Sequence, residues 1–192
     1  LILFRAIGRQ DVKPLARRLL DTFGDLARVV SAPPARLMQV HGVGDAVVGN
    51  VVMNHPVTNL GYRISCNGKS VFFTGDHEPF YNEYPDDDPR HAPHQAWIEK
   101  RQREIDLAME DVDALIMDCS YTVQEYPAKR GWGHGTFDAA LATAKRVGAR
   151  TLYCTHHEPT RGDDELEAAF ADALARHAPL PEGLKVVLAY EG

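Results

Sequence analysis

The stretch Ser70–Pro79, SVFFTGDHEP, constrains this chain more than any other. An apolar run stops at Gly75 and delivers Asp76, His77 and Glu78. Strand interiors tolerate few charges, and sites are built on the loops just past strand ends. The run therefore reads as a buried strand with a site at its C-terminal end, centred on Asp76. Further acidic or histidine residues follow other apolar runs: Asp118 closes DALIMD, and His156 follows TLYCT.

After residue 50 strand and helix patterns alternate. Val51–Met53, Leu60–Ser65, Ser70–Thr74, Ala114–Met117, Thr151–Thr155 and Leu184–Tyr190 read as strands, with Asn67-Gly68 as a hairpin turn. Trp97–Met109, Phe137–Val147 and Asp163 or Asp164 to about Arg176 carry helical spacing. This is an α/β layered pattern. Residues 84–96 read as a Pro- and Asp-rich loop, with Asp86–Asp88 solvated. Pro93 argues against His91 and His94 as a helical ligand pair.

The first 50 residues follow another period and read as all helix. Asp11 caps a helix to about Phe23, with Pro14 in its first turn and Leu15, Leu19, Leu20 and Phe23 on its apolar face. Shorter helices follow over Asp25–Val30 and Ala35–Val40. The turn His41-Gly42-Val43-Gly44-Asp45 then leads into Ala46–Val48, a helix-hairpin-helix pattern. Gly42 and Gly44 would expose backbone N–H groups to a phosphate, giving a weak DNA contact. The expected division is 1–49, helical, and 50–192, α/β.

Composition limits the partners. A net charge of −6 over 192 residues argues against a dedicated nucleic-acid binder, although basic residues outnumber acidic ones in the first 50. Cys66, Cys119 and Cys154 form no CxxC pair, which fits a reducing cytoplasm. No apolar run reaches the length of a membrane span. The chain starts at Leu1 rather than Met, which fits a fragment.

Two resemblances follow. LFRAIGRQDVKPLARRLLDTFGDLARVVSAPPARLMQVHGVGDAVV resembles the N-terminal helical region of bacterial RadC proteins over about residues 1–48. NHPVTNLGYRI, TGDHEP, DALIMDCSYT, GWGHGT and CTHHEPTRGDDEL resemble the C-terminal half of metallo-β-lactamase-fold hydrolases, in the branch of RNase Z and cyclic-nucleotide phosphodiesterases. That resemblance implies half of an αββα sandwich behind the small helical segment. It implies a divalent metal, zinc with manganese or iron as alternatives, held by His55, Asp76 and His156, with Asp76 bridging. It implies His134 as the residue assisting phosphate chemistry, in a loop where Gly135 replaces a serine. Asp118 would orient His134, while His77, Glu78, His157 and Glu158 read as adjoining loop residues. The substrate implied is a phosphodiester, small molecule or nucleic acid.

The sequence contains no HxHxDH, the motif from which that family draws most of its ligands. The expectation is an impaired hydrolase with poor metal occupancy and an uncovered apolar sheet face; a homodimer is one arrangement that would bury it. The alternatives are a non-catalytic fusion or fragment with a DNA-binding hairpin, or an incoherent gene junction.

Overall fold

The computed structural model describes residues 13–25, 28–29, 32, 34–37, 39–40 and 46–190. The chain forms two compact units, 1–48 with 65–68, and 49–64 with 69–192.

In the first unit, helix α1 (Lys13–Phe23) has the amphipathic pattern expected of it. Leu19 and Phe23, four apart and so on one face, are buried with Val40 against Val29, Ala32 and Leu37. Leu20, placed on the apolar face by its spacing, is exposed instead. The Asp25 carboxylate accepts from the Arg28 N–H at 2.8 Å. Helix α2 spans only Pro34–Leu37. Gly42 and Gly44 lie outside the described residues. The helix expected over Ala46–Val48 does not form: Val47 opens strand β1 (Val47–Val52). Its VVGNVV sequence is dominated by β-branched side chains, which are stiff at χ1 and favour the pleated conformation.

A six-stranded sheet, most of whose residues belong to the second unit, runs in sequential order: β1, β2 (Leu60–Cys66), β3 (Lys69–Phe73), β4 (Ala114–Asp118), β5 (Thr151–Thr155) and β6 (Lys185–Leu188). Asn67 and Gly68 make the β2–β3 turn with φ of 51° and 71°. From β3 onward every pairing is parallel. Parallel neighbours need crossovers, and helices α3 (His91–Met109), α4 (Phe137–Arg146) and α5 (Asp163–Arg176) supply them. All these strands therefore end on one side, where Asp76, Asp118 and His156 follow.

Register separates the two faces of the sheet. Phe72 pairs with Leu115 and Leu115 with Leu152, and all three are fully buried. They pack with Ile105, Met109, Leu141 and Ala173 from the helices. The next row, Phe73–Ile116–Tyr153–Val187, stays partly open, with Phe73 46% and Tyr153 36% exposed. Within this unit, among the described residues, α3, α4 and α5 pack on the Phe72 face.

The α3 boundary corrects a sequence expectation. The helix starts at His91, six residues before Trp97, and includes Pro93. A proline in the first turn lacks only an N–H that would have had no partner in the helix. His91 and His94 thus share one helical turn, but they serve as pins: His91 Nδ1 lies 2.8 Å from the Tyr84 carbonyl and His94 Nδ1 lies 3.0 Å from Asn82 Oδ1. Asp88 binds the Arg90 N–H at 2.8 Å and its guanidinium at 2.7 Å. Among the described residues, no helix is long and apolar enough to cross a membrane.

Candidate metal centre

Asp76 sits two residues past the buried Thr74, at a turn where Gly75 has φ +60°. The Asn59 side-chain amide donates to the carbonyls of both Thr74 and Asp76, which holds this turn. Its carboxylate faces an imidazole on each side. His55 Nε2 lies 3.7 Å from Oδ2, and His156 Nε2 lies 3.6 Å from Oδ1. His156 reaches this position from a left-handed backbone (φ 56°), which few non-glycine residues adopt and which marks a site held by its surroundings.

The remote nitrogen of each ring is engaged. His55 Nδ1 is 3.0 Å from the Val57 carbonyl and 3.3 Å from the Val57 N–H. The shorter contact favours a proton on Nδ1, leaving a lone pair on Nε2. His156 Nδ1 lies 3.1 Å from Ser120 Oγ and 3.5 Å from Asp118 Oδ1.

Asp118, at the end of β4, has a side chain with no exposure. Its Oδ1 accepts from the Ser120 hydroxyl (2.8 Å) and N–H (3.2 Å), and its Oδ2 from the His77 N–H (3.2 Å). Oδ2 also lies 2.7 Å from His134 Nδ1, a contact that places a proton on that nitrogen. One donor atom from each of Asp76, Asp118, His134 and His156 falls within 4.8 Å of all the others. The His134 ring is tilted against His156 at 4.8 Å and meets His55 edge-on at 5.8 Å.

His134 stands in a loop that folds onto the site because of Glu78. That carboxylate, 3% exposed, accepts from the Tyr126 hydroxyl (2.7 Å) and from the N–H groups of Gly131 (2.8 Å) and Gly133 (3.0 Å). Burial and the Glu78 hydrogen bond raise the Tyr126 phenol above its ordinary range. The glycines flanking His134 allow close approach. A Cβ on Gly133 would sit 2.2 Å from His55 Cδ2, and one on Gly135 would sit 2.9 Å from the Asp118 carbonyl and 3.0 Å from that of His77. Position 135, where the resemblance implies a serine, has no room for a side chain here.

His77 plays a structural part. Burial lowers its pKa to about 4, so at neutral pH the ring is uncharged and Nδ1 accepts from the Asn54 N–H at 3.3 Å. His157 stacks on Phe137 at 5.9 Å, with Nε2 3.1 Å from the Ala189 carbonyl. The three cysteines are free, and burial pushes the Cys119 thiol pKa up, which keeps it protonated.

Sequence reasoning missed Ser120, two residues past Asp118, and the anchoring role of Glu78. Neither stands at a position whose pattern separates it from a surface residue. Only the fold shows that Ser120 links two site residues and that Glu78 is buried.

The donor set suits a borderline divalent cation. Ligand bonds of about 2.0–2.2 Å in a tetrahedral shell set two donor atoms about 3.4 Å apart, near the spacings on either side of Asp76. The residues present fit such an ion.

Comparison with known proteins places the chain in a family. A family model described as a beta-lactamase superfamily domain matches residues 38–157. A solved structure of the metallo-beta-lactamase fold protein YhfI from Bacillus subtilis is similar in fold, with a TM-score of 0.52 and 22% identity over 84% of this chain and 52% of that one. The short form of human tRNase Z follows with a TM-score of 0.47 and 17% identity over 76% of this chain and 41% of that one. A UPF0758 protein of Rhodobacter capsulatus is 73% identical over 48 residues, 25% of this chain and 22% of that protein. A UPF0758 protein of Ruegeria pomeroyi is 69% identical over 48 residues, 21% of its length. These short, strong matches support the RadC resemblance. This chain spans about half the length of YhfI and about a fifth of the UPF0758 proteins. With the family model matching well over half of its residues, the chain belongs to the beta-lactamase superfamily domain family.

Proposed function

We propose that the Asp76 cluster is a phosphodiester-hydrolysing centre for two divalent cations, present in this chain as a half-site of low cation affinity. The observation that carries this reading is the Asp76 carboxylate, each oxygen of which faces the Nε2 of a different histidine, His55 or His156. One cation would be held by His55 and Asp76, the other by Asp76 and His156. Zinc suits imidazole and carboxylate donors best, with manganese and iron as alternatives. When bound, such a pair supplies a hydroxide-like nucleophile at neutral pH and offsets charge on the phosphoryl oxygens.

The chain's own residues do the rest. Asp118 takes the His134 Nδ1 proton as a hydrogen bond, which leaves Nε2 to serve the substrate phosphate or its leaving oxygen. Ser120 ties Asp118 to His156, so the two sides of the cluster keep a common geometry. Glu78 keeps the His134 loop closed on it. Two protein donors per cation leave the remaining coordination to solvent, which accounts for low affinity.

Elemental analysis and hydrolysis of bis(p-nitrophenyl) phosphate by the purified chain test this. Less than one tightly held ion per chain is expected, with slow hydrolysis that rises with added zinc and is lost in His156→Ala. Stoichiometric metal in the chain as purified would overturn the half-site. Hydrolysis indifferent to both zinc and His156→Ala would overturn the centre itself.

A further inference from the structure

His77 stands beside the cluster without being one of its proposed ligands, yet several parts of the site meet on this residue. It is buried, and its ring Nδ1 accepts from the Asn54 N–H at 3.3 Å. An acceptor at Nδ1 places the ring's proton on Nε2. The His77 N–H donates to Asp118 Oδ2 at 3.2 Å, and its chain neighbours are Asp76 and Glu78.

The residue that the ring holds is the one before His55. A bond of 3.0 Å from the Met53 N–H to the Asn59 carbonyl closes the turn that carries His55. At one end of that turn the Asn59 amide binds the Thr74 and Asp76 carbonyls. At the other end the Glu78 N–H donates to the Asn54 carbonyl at 2.9 Å, and the Asn54 side-chain amide donates to the Glu78 carbonyl at 3.0 Å. Among the described residues, the bond to Nδ1 is the one link at this end that a side chain of residues 74–78 supplies. A substitution at His77 can therefore remove it and leave the backbone links in place.

We infer that His77 is a positioning residue of the Asp76 cluster: its Nδ1 holds the Asn54 amide and thereby sets His55 Nε2 opposite Asp76 Oδ2. What His55 does there rests on the cation reading; how it is held rests on the hydrogen bonds alone. Groups that orient a metal-binding histidine from behind are worth roughly 10- to 100-fold in metal affinity. His77 acts in that way one residue further back, through the backbone.

Side-chain amides offer an acceptor at two different points of an imidazole, Asn near Nδ1 and Gln near Nε2. His77→Asn keeps the acceptor for Asn54, whereas His77→Leu and His77→Gln lack it. Manganese titration of the full chain, read from the electron paramagnetic resonance of the free ion, should show near wild-type affinity in His77→Asn. In His77→Leu the affinity should fall roughly 10- to 100-fold. A packing role alone gives the reverse order, because Leu fills a buried space that Asn leaves partly empty, and that order would overturn the inference. His77→Gln carries the comparison should His77→Leu fail to fold by circular dichroism. Hydrogen exchange at the Asn54 amide, with no metal added, reads the hold directly. Protection should persist in His77→Asn and fall in the other two variants; equal protection in all of them would overturn the positioning role whatever the metal does. Manganese bound no more tightly by the wild type than by His156→Ala, with the exchange order intact, overturns the cation reading and sustains the hold of His77 on the His55 turn.

Discussion

Replacing Glu78 probes how the site is assembled without touching a proposed cation ligand. Its carboxylate is 3% exposed and receives three hydrogen bonds, two on Oε1 from Tyr126 and Gly131 and one on Oε2 from Gly133. Bonds to a charged acceptor contribute roughly 1.5–3 kcal/mol each, and a buried donor left without a partner costs about 1–3 kcal/mol. Glu78→Gln keeps one oxygen but turns an NH2 toward the Gly133 N–H or its counterparts, a loss of roughly 2 kcal/mol. Glu78→Ala strands all three donors. Water entering the vacated space restores part of the loss, so the expected cost is roughly 3–5 kcal/mol, a large share of the ~5–15 kcal/mol that holds a domain together. Tyr126→Phe, which removes one donor and leaves the carboxylate, should fall below both. Urea unfolding followed by circular dichroism gives the order. Amide hydrogen exchange at Gly131 and Gly133 locates the effect, since both should lose protection in Glu78→Gln before the sheet does. Should Glu78→Ala unfold with the wild-type midpoint, or the two glycine amides stay protected, the loop is held by something else and the argument fails.

Two further perturbations test neighbouring parts of the structure. Gly135→Ala drives a methyl group to 2.9 Å from the Asp118 carbonyl, and overpacking of this kind costs about 1–3 kcal/mol; an unchanged melting temperature would show that the backbone yields freely there. At Asp138, burial pushes the carboxyl pKa up, but hydrogen bonds and charge from Arg176, with His177, outweigh it and hold it below 3.8. The unfolded chain then binds the proton first as pH falls, so this pair's contribution is present above about pH 3.8 and is lost on acidification below it. Asp138→Asn should flatten the acid limb of the stability curve, as read from urea midpoints between about pH 2 and 7, and an unchanged limb would remove the assignment.

The match between pattern and structure was closest where local chemistry decides alone. SVFFTGD ends its strand locally, because Gly75 takes the positive φ that turns the backbone away before Asp76. Asn67-Gly68 made its hairpin for the same kind of reason. Local pattern failed where a signal has two readings. Pro93 reads as a breaker but sits harmlessly in the first turn of α3, and Ala46–Val48 reads as a helix after a glycine turn but opens β1.

The sequence by itself determined that strands end in Asp76, Asp118 and His156, that His55 and His134 stand in turns, and that no HxHxDH accompanies them. Only the tertiary structure decided that these residues meet. Parallel pairing of β3, β4 and β5 brings three strand ends to one side of a sheet, and Glu78 brings the His134 loop back onto them. The reason is range: a turn or a strand end is set by a few neighbouring residues, whereas a cluster drawn from positions 55 to 156 depends on strand order and on burial. Neither of these is written in any one stretch of the chain.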